Sequence, residues 1–128
     1  MPRPEECRYT KEHEWIFREG ELLVVGVSDF AQSELGEIVY VDLKPSGQTL
    51  TAGDELGTIE SVKAVAEVYA PVRGEVVEVN AGLVDTPEAI NEDPMGAGWL
   101  VKMRPESADA FEGLMDHATY ASYLDSAQ

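Results

Sequence analysis

Residues 57–71 read GTIESVKAVAEVYAP and contain two short runs that favour extended structure. Val, Ile, Thr and Tyr suit the half-buried surface of a strand, and Gly53-Asp54 and Pro71 bound the two runs with turn residues. The room between the runs allows only a tight turn, and Lys63 falls at or beside it. We therefore predict a β-hairpin that holds the stem of Lys63 in solvent, where an enzyme can acylate its amine.

A lysine at a hairpin tip is often no more than a solvated charge, because turns are polar. Two features of this tip argue against that interpretation. The chain has only four lysines against 25 acidic residues, so lysine is not used as general surface filler. The tip also carries Val62, Ala64 and Val65, where a purely solvating turn would carry Asn, Asp, Gly or Ser. Both features favour a lysine that is displayed for a function.

An internal repeat flanks this hairpin. The segment GEIVYVD at residues 36–42 reappears 38 residues later as GEVVEVN at residues 74–80. Two similar β units on either side of one hairpin are expected of a quasi-symmetric sandwich that displays the hairpin at one end. The repeat therefore predicts two small antiparallel sheets packed face to face.

Length, charge and cysteine content limit what the chain can be. Its 128 residues are the size of one domain, and it has no apolar run of about 18 residues, which predicts no membrane span. The net charge of −16 argues against partners rich in phosphate, both nucleic acid and anionic membranes. Cys7 is the only cysteine, and residues 1–6 lack the apolar core of a secretory signal. We expect a monomer in the bacterial cytoplasm.

The patterning of the remaining chain predicts one domain over 1–128, with a β sandwich over about 9–104 and a helical tail over about 105–126. The predicted elements are a loose lead-in over 1–8, a hairpin over 14–27, a helix beginning at Ser28-Asp29 and ending near Gly36, strands over 38–43, 75–79 and 99–103, one helical turn over 85–91, and two C-terminal helices, over 108–116 and from His117 or Thr119 onwards. We expect Asp29 with Gln32 to form a capping box, and Phe30, Ala31 and Leu35 to face inward.

The side chains available for catalysis are few. One Cys and two His (His13 and His117) give no zinc set, and neither a glycine-rich phosphate loop nor a nucleophile elbow is present. His13 lies beside Trp15 in a predicted strand, where a structural role is more common than a ligand role. These observations predict a protein that carries a reactive group rather than an enzyme that creates one.

Several motifs resemble one family in the same order along the chain. ESVKA at 60–64 and APVRGEVVEVN at 70–80 resemble the lipoyl-attachment region of the glycine cleavage system H proteins. The resemblance extends over about residues 8–104 and includes Tyr9-Thr10 with His13-Glu14-Trp15, Leu35-Gly36-Glu37, Asn91-Glu92-Asp93-Pro94 and Gly98-Trp99-Leu100. It implies a mainly β barrel-sandwich hybrid with one short early helix and two C-terminal helices.

The same resemblance implies a function in glycine catabolism and one-carbon metabolism. Lys63 would carry lipoic acid in amide linkage, attached by lipoylating enzymes. The arm would carry the aminomethyl group of glycine from the pyridoxal-phosphate glycine decarboxylase (P protein) to the tetrahydrofolate-dependent aminomethyltransferase (T protein). Dihydrolipoyl dehydrogenase (L protein) would then reoxidise it. In this family the loaded arm folds back into a cleft of its own domain.

Matching positions suggest which residues would line that cleft. Glu14 is the principal candidate, with Glu12 and Glu67 near the same mouth, because a carboxylate there would pair with the protonated amine of the loaded arm. Two departures from the family pattern bear on the cleft: Glu34 occupies a position where some relatives carry His, and Ala66 one where many carry Ser. Met95 and Ala97 also differ from the usual residues and are interpreted as packing changes.

Related carriers and roles remain as alternatives. Biotinyl carriers usually flank their lysine with Met, whereas this chain has Val62 and Ala64. Lipoyl domains of 2-oxo acid dehydrogenases usually place Asp before the lysine and are shorter. An H-like protein can also act as a lipoyl donor or relay for other lipoyl enzymes, and an unmodified Lys63 would indicate an interaction module.

Overall fold

The computed structural model describes residues 3–127, and two antiparallel sheets make up most of it. The strands are β1 Arg8–Tyr9, β2 Glu14–Glu19, β3 Leu22–Val27, β4 Ile38–Leu43, β5 Thr49–Leu50, β6 Glu55–Ser61, β7 Val65–Tyr69, β8 Gly74–Val79 and β9 Val101–Pro105. One sheet has six strands in the order β1-β2-β3-β9-β8-β5, and the other has three in the order β4-β6-β7. The predicted mainly β sandwich is confirmed.

Short helices connect and cover the strands. They are α1 Asp29–Leu35, α2 Ala89–Glu92 and α3 His117–Ala127, together with 3-10 helices over Pro4–Glu6, Ala81–Val84 and Ala108–Gly113. The early helix is confirmed, but only one of the two predicted C-terminal helices is an α-helix. Within residues 3–127, no helix is both long and apolar enough to cross a membrane.

The main hydrophobic core lies between the two sheets. Its buried residues come from both, and include Ile16, Val25, Val76 and Met103 of the larger sheet and Ile38, Val41, Leu56 and Ile59 of the smaller one. Alternation along β6 places Ile59 inside and Glu60 outside, as the period of a strand requires. The inner face of the Lys63 hairpin is thus part of the core.

A second hydrophobic cluster covers the other face of the larger sheet. It contains Cys7, Tyr9, Trp15, Val24 and Tyr120, which are all buried. Because both faces are covered here, residues 14–16 of β2 and 23–27 of β3 are buried without alternating with solvent. Helix α3 closes this side of the molecule.

The predicted loose lead-in over residues 1–8 is wrong for its described part. Tyr9 pairs with Trp15 in β2, and its hydroxyl donates a hydrogen bond of 2.7 Å to the carbonyl of Pro4. These contacts hold the preceding residues against the sheet and bury Cys7. Residues 1 and 2 lie outside the described part of the chain.

The predicted α-helix over 108–116 is also wrong, because a long-range pairing ends it early. Tyr9 and Met115 exchange two backbone hydrogen bonds, of 2.7 and 3.1 Å. An α-helix through Met115 would need the backbone N–H of Met115 for a bond to the carbonyl of Phe111, whereas here the chain is already extended at Leu114. The helical spacing of apolar residues is real, but the bridge to β1 outcompetes it.

The last predicted strand begins two residues later than expected. Val101 and Met103 are buried in β9 as predicted, whereas Trp99 precedes the strand. The side-chain amide of Asn80 donates to the carbonyls of Ala97 and Trp99, at 2.9 and 2.8 Å, and this holds Trp99 in a turn.

Helix α1 begins one residue earlier than the predicted capping box implies. Ser28 is its N-cap, and its Oγ accepts a hydrogen bond of 3.2 Å from the backbone N–H of Ala31. Asp29 instead accepts from the side chain of Gln32 at 2.9 Å. Gly36 ends the helix with a φ of 79°, a conformation that favours glycine.

The two copies of the repeat lie in different sheets, β4 in the smaller and β8 in the larger. Each of these two strands packs closely against the backbone of a neighbouring strand, and a glycine lies at the point of contact. A Cβ on Gly57 would collide with the carbonyl oxygen of Asp42 in β4, and one on Gly74, the first residue of β8, would collide with that of Arg104. Only glycine permits these strand pairs to meet at their observed separation.

Gly57→Ala therefore tests the packing of β6 on β4. We expect it to lower the free energy of unfolding by about 1–3 kcal/mol, because the added methyl displaces backbone and not a flexible side chain. Gly113→Ala is the matched control, since a Cβ there meets nothing within 4 Å. Urea denaturation of both variants checks this, and equal stabilities would contradict the assigned role of Gly57.

Candidate functional site

Lys63 lies in the three-residue loop 62–64 that joins β6 to β7. Ser61 closes this loop with its backbone, whose N–H donates to the carbonyl of Ala64 at 2.8 Å. The buried Oγ of Ser61 also accepts from the backbone N–H of Ala64 at 3.0 Å and of Lys63 at 3.3 Å. The tip is therefore a hydrogen-bonded turn, as predicted.

A second contact ties the tip to the connection between α1 and β4. The backbone N–H of Val62 donates to the carbonyl of Glu37 at 3.1 Å. A Cβ added at Gly36 would lie 3.6 Å from Cε of Lys63, so the lysine stem passes directly over this glycine. The hairpin tip and the end of α1 are thus held together.

Asn91, which precedes the end of α2, fixes that connection. Its Nδ2 donates to the carbonyl of Gly36 at 2.8 Å and to Oε1 of Gln32 at 2.9 Å, and its Oδ1 accepts from the backbone N–H of Ile38 at 2.8 Å. In the sequence Asn91 is part of a motif without a predicted role. Its partners lie more than 50 residues away along the chain, so no local sequence signal marks this role.

The amine of Lys63 is free for chemistry. Its residue is exposed, and the ion pairs that the described residues form use other cations, namely Arg3, Arg18, Arg73, Lys102 and Arg104. An unpaired amine on a rigid turn can enter the active site of another protein without first breaking a contact.

A cavity of about 180 Å³ lies between α1, β7 and the start of β2. The cavity is lined by Glu12, His13, Glu14, Val27, Phe30, Ala31, Glu34, Leu35, Ile59, Ala66, Glu67 and Val68. It therefore brings together all three predicted cleft carboxylates, and it includes Leu35, which directly precedes the glycine beneath the Lys63 stem.

Glu14 is the one buried carboxylate of this cavity, with 2% of its surface exposed. Its carboxylate accepts hydrogen bonds from the backbone N–H of Tyr69 at 2.8 Å and from the hydroxyl of Thr10 at 2.9 Å. Burial raises the pKa of Glu14 to about 7, although these two hydrogen bonds act in the opposite direction. At neutral pH the group can therefore be either charged or neutral.

Glu12, Glu34 and Glu67 are exposed at the edge of the cavity. Oε2 of Glu67 accepts a hydrogen bond of 2.9 Å from the hydroxyl of Tyr69. A second cavity, of about 440 Å³, shares Glu12 and Glu14 with the first. Glu14 thus forms part of the wall of both cavities, although only the smaller one also has α1 in its lining.

Two hydrogen-bond partners of Glu14 were not predicted from the sequence. Thr10 belongs to a quoted motif but received no role, and the backbone N–H of Tyr69 carries no sequence signal at all. His13, interpreted as structural, has its Nδ1 2.9 Å from the hydroxyl of Tyr120, while the residue also lines the cavity.

No group of three or more His, Cys, Asp or Glu side chains among residues 3–127 could hold a metal ion.

Comparisons with known proteins agree closely in sequence and in structure. The family described as Glycine cleavage H-protein matches residues 7–127. Proteins named glycine cleavage system H protein are similar to this chain, with 47% identity in Anaeromyxobacter sp. strain K and 51% in Chlorobium limicola, each covering at least 97% of both chains. A crystal structure of a glycine cleavage system H protein from Mycobacterium marinum superposes with a TM-score of 0.86 at 36% identity, covering 96% of this chain and 99% of that one.

The raised pKa of Glu14 predicts a pH-dependent effect of Glu14→Gln. Because the pKa rises from an ordinary 4.5 to about 7, stability that the neutral carboxyl provides is present below pH 4.5 and is lost as the pH rises through 7. Oε1 of Gln can still accept from the backbone N–H of Tyr69, and its Nε2 can donate to the hydroxyl oxygen of Thr10 in the reverse direction, without a charge. We expect the variant to gain up to about 3 kcal/mol over the wild type at pH 8, and nothing at pH 4.

Chemical denaturation across this pH range measures the difference. Glu67→Gln is the control, since Glu67 is exposed and its replacement should show no such trend. A gain for Glu14→Gln that does not change with pH would show that Glu14 stays charged throughout.

Proposed function

This chain belongs to the glycine cleavage H-protein family, and we propose that Lys63 is the residue that carries its lipoyl group in amide linkage. The chain has the H-protein role in the glycine cleavage system. One observation carries the assignment of Lys63, namely its exposed and unpaired position at the ordered tip of the β6–β7 hairpin. The other three lysines lie outside the hairpin.

The partners follow from this role. When bound, a lipoyl group supplies a dithiolane that can take the aminomethyl group of glycine from the decarboxylase, yield it to the aminomethyltransferase and be reoxidised by dihydrolipoyl dehydrogenase. We propose that the chain is a carrier without a catalytic site of its own and acts as a monomer in the bacterial cytoplasm. A buried Cys7, whose pKa is raised to about 12 by burial, stays a thiol there.

We place the arm of such a carrier in the cavity of about 180 Å³, because this cavity combines apolar walls with one buried carboxylate. Apolar side chains from β3, α1 and β6 would cover the hydrocarbon part, and Glu14 would face its cargo. The carboxylate of Glu14 would pair with a protonated amine, while the surrounding walls exclude the water that hydrolyses it. Because the charged form of Glu14 makes this pair, retention of the cargo should strengthen as the pH rises through 7.

Glu12 and Glu67 would act at the mouth of this cleft. Both are exposed, so their charges attract an amine through solvent but hold it less firmly than Glu14. Glu34 adds a fourth carboxylate where some relatives carry His, and Ala66 removes the hydroxyl that many relatives have. Both residues line the cavity, so Ala66 makes its wall more apolar, whereas neither departure changes Lys63.

The surface around Lys63 fits recognition by lipoylating enzymes. Val62 and Val65 lie on either side of Lys63-Ala64, with 68% and 65% of their surfaces exposed. Val65, Glu60 and Tyr40 lie side by side on the outer face of the smaller sheet. Before modification, the amine must enter an active site on the lysine stem alone. The attaching enzyme must therefore contact the residues beside Lys63, and exposed apolar groups mark such contacts.

Lys63→Arg tests the attachment site. Arginine keeps the charge and the turn but cannot form the lipoyl amide, so we expect complete loss of the lipoyl mass increment and of glycine-dependent carbon dioxide release with the decarboxylase. Lys44→Arg is the matched control and should retain both. Intact and peptide mass spectrometry of protein from its own organism checks the site, and a lipoyl increment on another lysine would contradict the assignment.

Threonine substitutions test the recognition surface. Threonine preserves the shape and strand preference of valine but adds a hydroxyl, so Val62→Thr with Val65→Thr should slow lipoylation about tenfold while leaving the fold intact. Val84→Thr is the control, since Val84 is also 68% exposed but lies outside the hairpin. The initial rate of lipoylation by a purified ligase measures this, and equal rates for all variants would argue that the lysine alone is recognised.

A further inference from the structure

The hydroxyl of Tyr120, in α3, joins two parts of the molecule that line the cleft. It lies 2.9 Å from Nδ1 of His13 and 2.8 Å from Oγ of Ser28. Tyr120 and Ser28 are both buried, and the ring of Tyr120 stacks on that of Tyr9 with centroids 4.5 Å apart. Neither contact of the hydroxyl is needed to bury the ring.

His13 determines how the two neighbouring carboxylates are presented. It lies between Glu12 and Glu14, and its φ of 68° is uncommon for a residue with a Cβ. Its backbone N–H donates to the carbonyl of Thr10, and its carbonyl accepts from the backbone N–H of Ser28 at 2.9 Å. A contact that holds the ring of His13 therefore also holds the turn that directs Glu12 and Glu14.

Ser28 has an equivalent role at the start of α1, the helix that forms another wall of the cavity. As the N-cap of α1, it satisfies the backbone N–H of Ala31. Helix α1 contributes Phe30, Ala31, Glu34 and Leu35 to the cavity, so its start must be fixed for that wall to be fixed. The ring of Phe30 also lies 4.7 Å from that of His13, which places the two walls in contact.

The three side chains can form one directional chain of hydrogen bonds. Ser28 accepts from Ala31, so its own hydroxyl can donate to the oxygen of Tyr120, which in turn donates to Nδ1 of His13. This direction requires a neutral imidazole. Burial of His13 lowers its pKa and favours that form, against the opposing charges of Glu12 and Glu34. Each of these hydrogen bonds then has one donor and one acceptor.

We propose that Tyr120 is a positioning residue for the arm cleft, whose hydroxyl couples α3 to both walls and thereby sets how well the cleft retains its cargo. The inference rests on the proposed function only for the nature of the cargo. The coupling itself concerns described residues and can be measured without a lipoyl group.

Tyr120→Phe removes the hydroxyl and keeps the ring stacked on Tyr9. We expect amide exchange at residues 12–14 and 29–31 to accelerate about tenfold, because two hydrogen bonds are lost, while exchange in β8 and β9 stays unchanged. Tyr123→Phe is the matched control: it lies one turn further along α3, and no hydrogen bond joins its hydroxyl to another described residue. It should exchange as the wild type does.

The lipoylated variants provide the second measurement. After loading with glycine and the decarboxylase, the isolated protein is followed for loss of the aminomethyl group. We expect at least about threefold faster loss in Tyr120→Phe than in Tyr123→Phe, with equal rates of lipoylation. Glu14→Gln sets the scale for a cleft without its buried charge.

The possible outcomes separate the two proposals. Exchange in Tyr120→Phe that matches Tyr123→Phe, or that rises equally in every strand, would overturn the coupling. A Glu14→Gln variant that retains its cargo as well as the wild type would overturn the cleft, whatever Tyr120 does. His13→Asn tests the other end of the chain, since Asn tolerates a positive φ, and it must reproduce the local exchange pattern of Tyr120→Phe.

Discussion

The burial of Ile59 between the two sheets is the constraint from which the position of Lys63 follows. Side chains alternate at the end of β6, so burying Ile59 and Ser61 leaves Glu60 outside and carries the chain into the loop at Val62. A slip of one residue would bury Glu60 and expose Ile59, which the core cannot tolerate. The register that completes the core thus also sets the lysine at the tip.

Ser61 connects the hydrophobic core to the loop that presents Lys63. Its hydroxyl is buried with the core, yet its hydrogen bonds go to the backbone of the loop that presents Lys63. The loop is tied in turn to Glu37, and through Asn91 to the end of α1. One continuous set of contacts therefore runs from the core to the hairpin tip and to the helix that forms a wall of the cleft.

Local sequence pattern predicts the structure correctly where pattern and burial agree. The hairpins over 14–27 and 57–71 and the strand Ile38–Leu43 combine strand-forming residues with flanking turn residues, and all are confirmed. The pattern gives a wrong prediction where a distant contact determines the local structure. The bridge from Tyr9 to Met115 ends a helix that apolar spacing supports, and Asn80 holds Trp99 out of β9. For the cleft, resemblance named Glu12, Glu14 and Glu67, but it could not find the N–H of Tyr69, because a backbone donor leaves no trace in side-chain pattern.

Charge in the cleft shows why only one of its carboxylates is buried. Four carboxylates line a cavity of about 180 Å³, and repulsion among them would oppose folding if all were removed from water. Glu12, Glu34 and Glu67 remain solvated, so their repulsion is screened, whereas Glu14 is shielded and has a pKa of about 7. A cation entering the cleft would neutralise this charge and lower the pKa of Glu14. The same burial that destabilises the protein at neutral pH would therefore strengthen the attraction of this cavity for a cation.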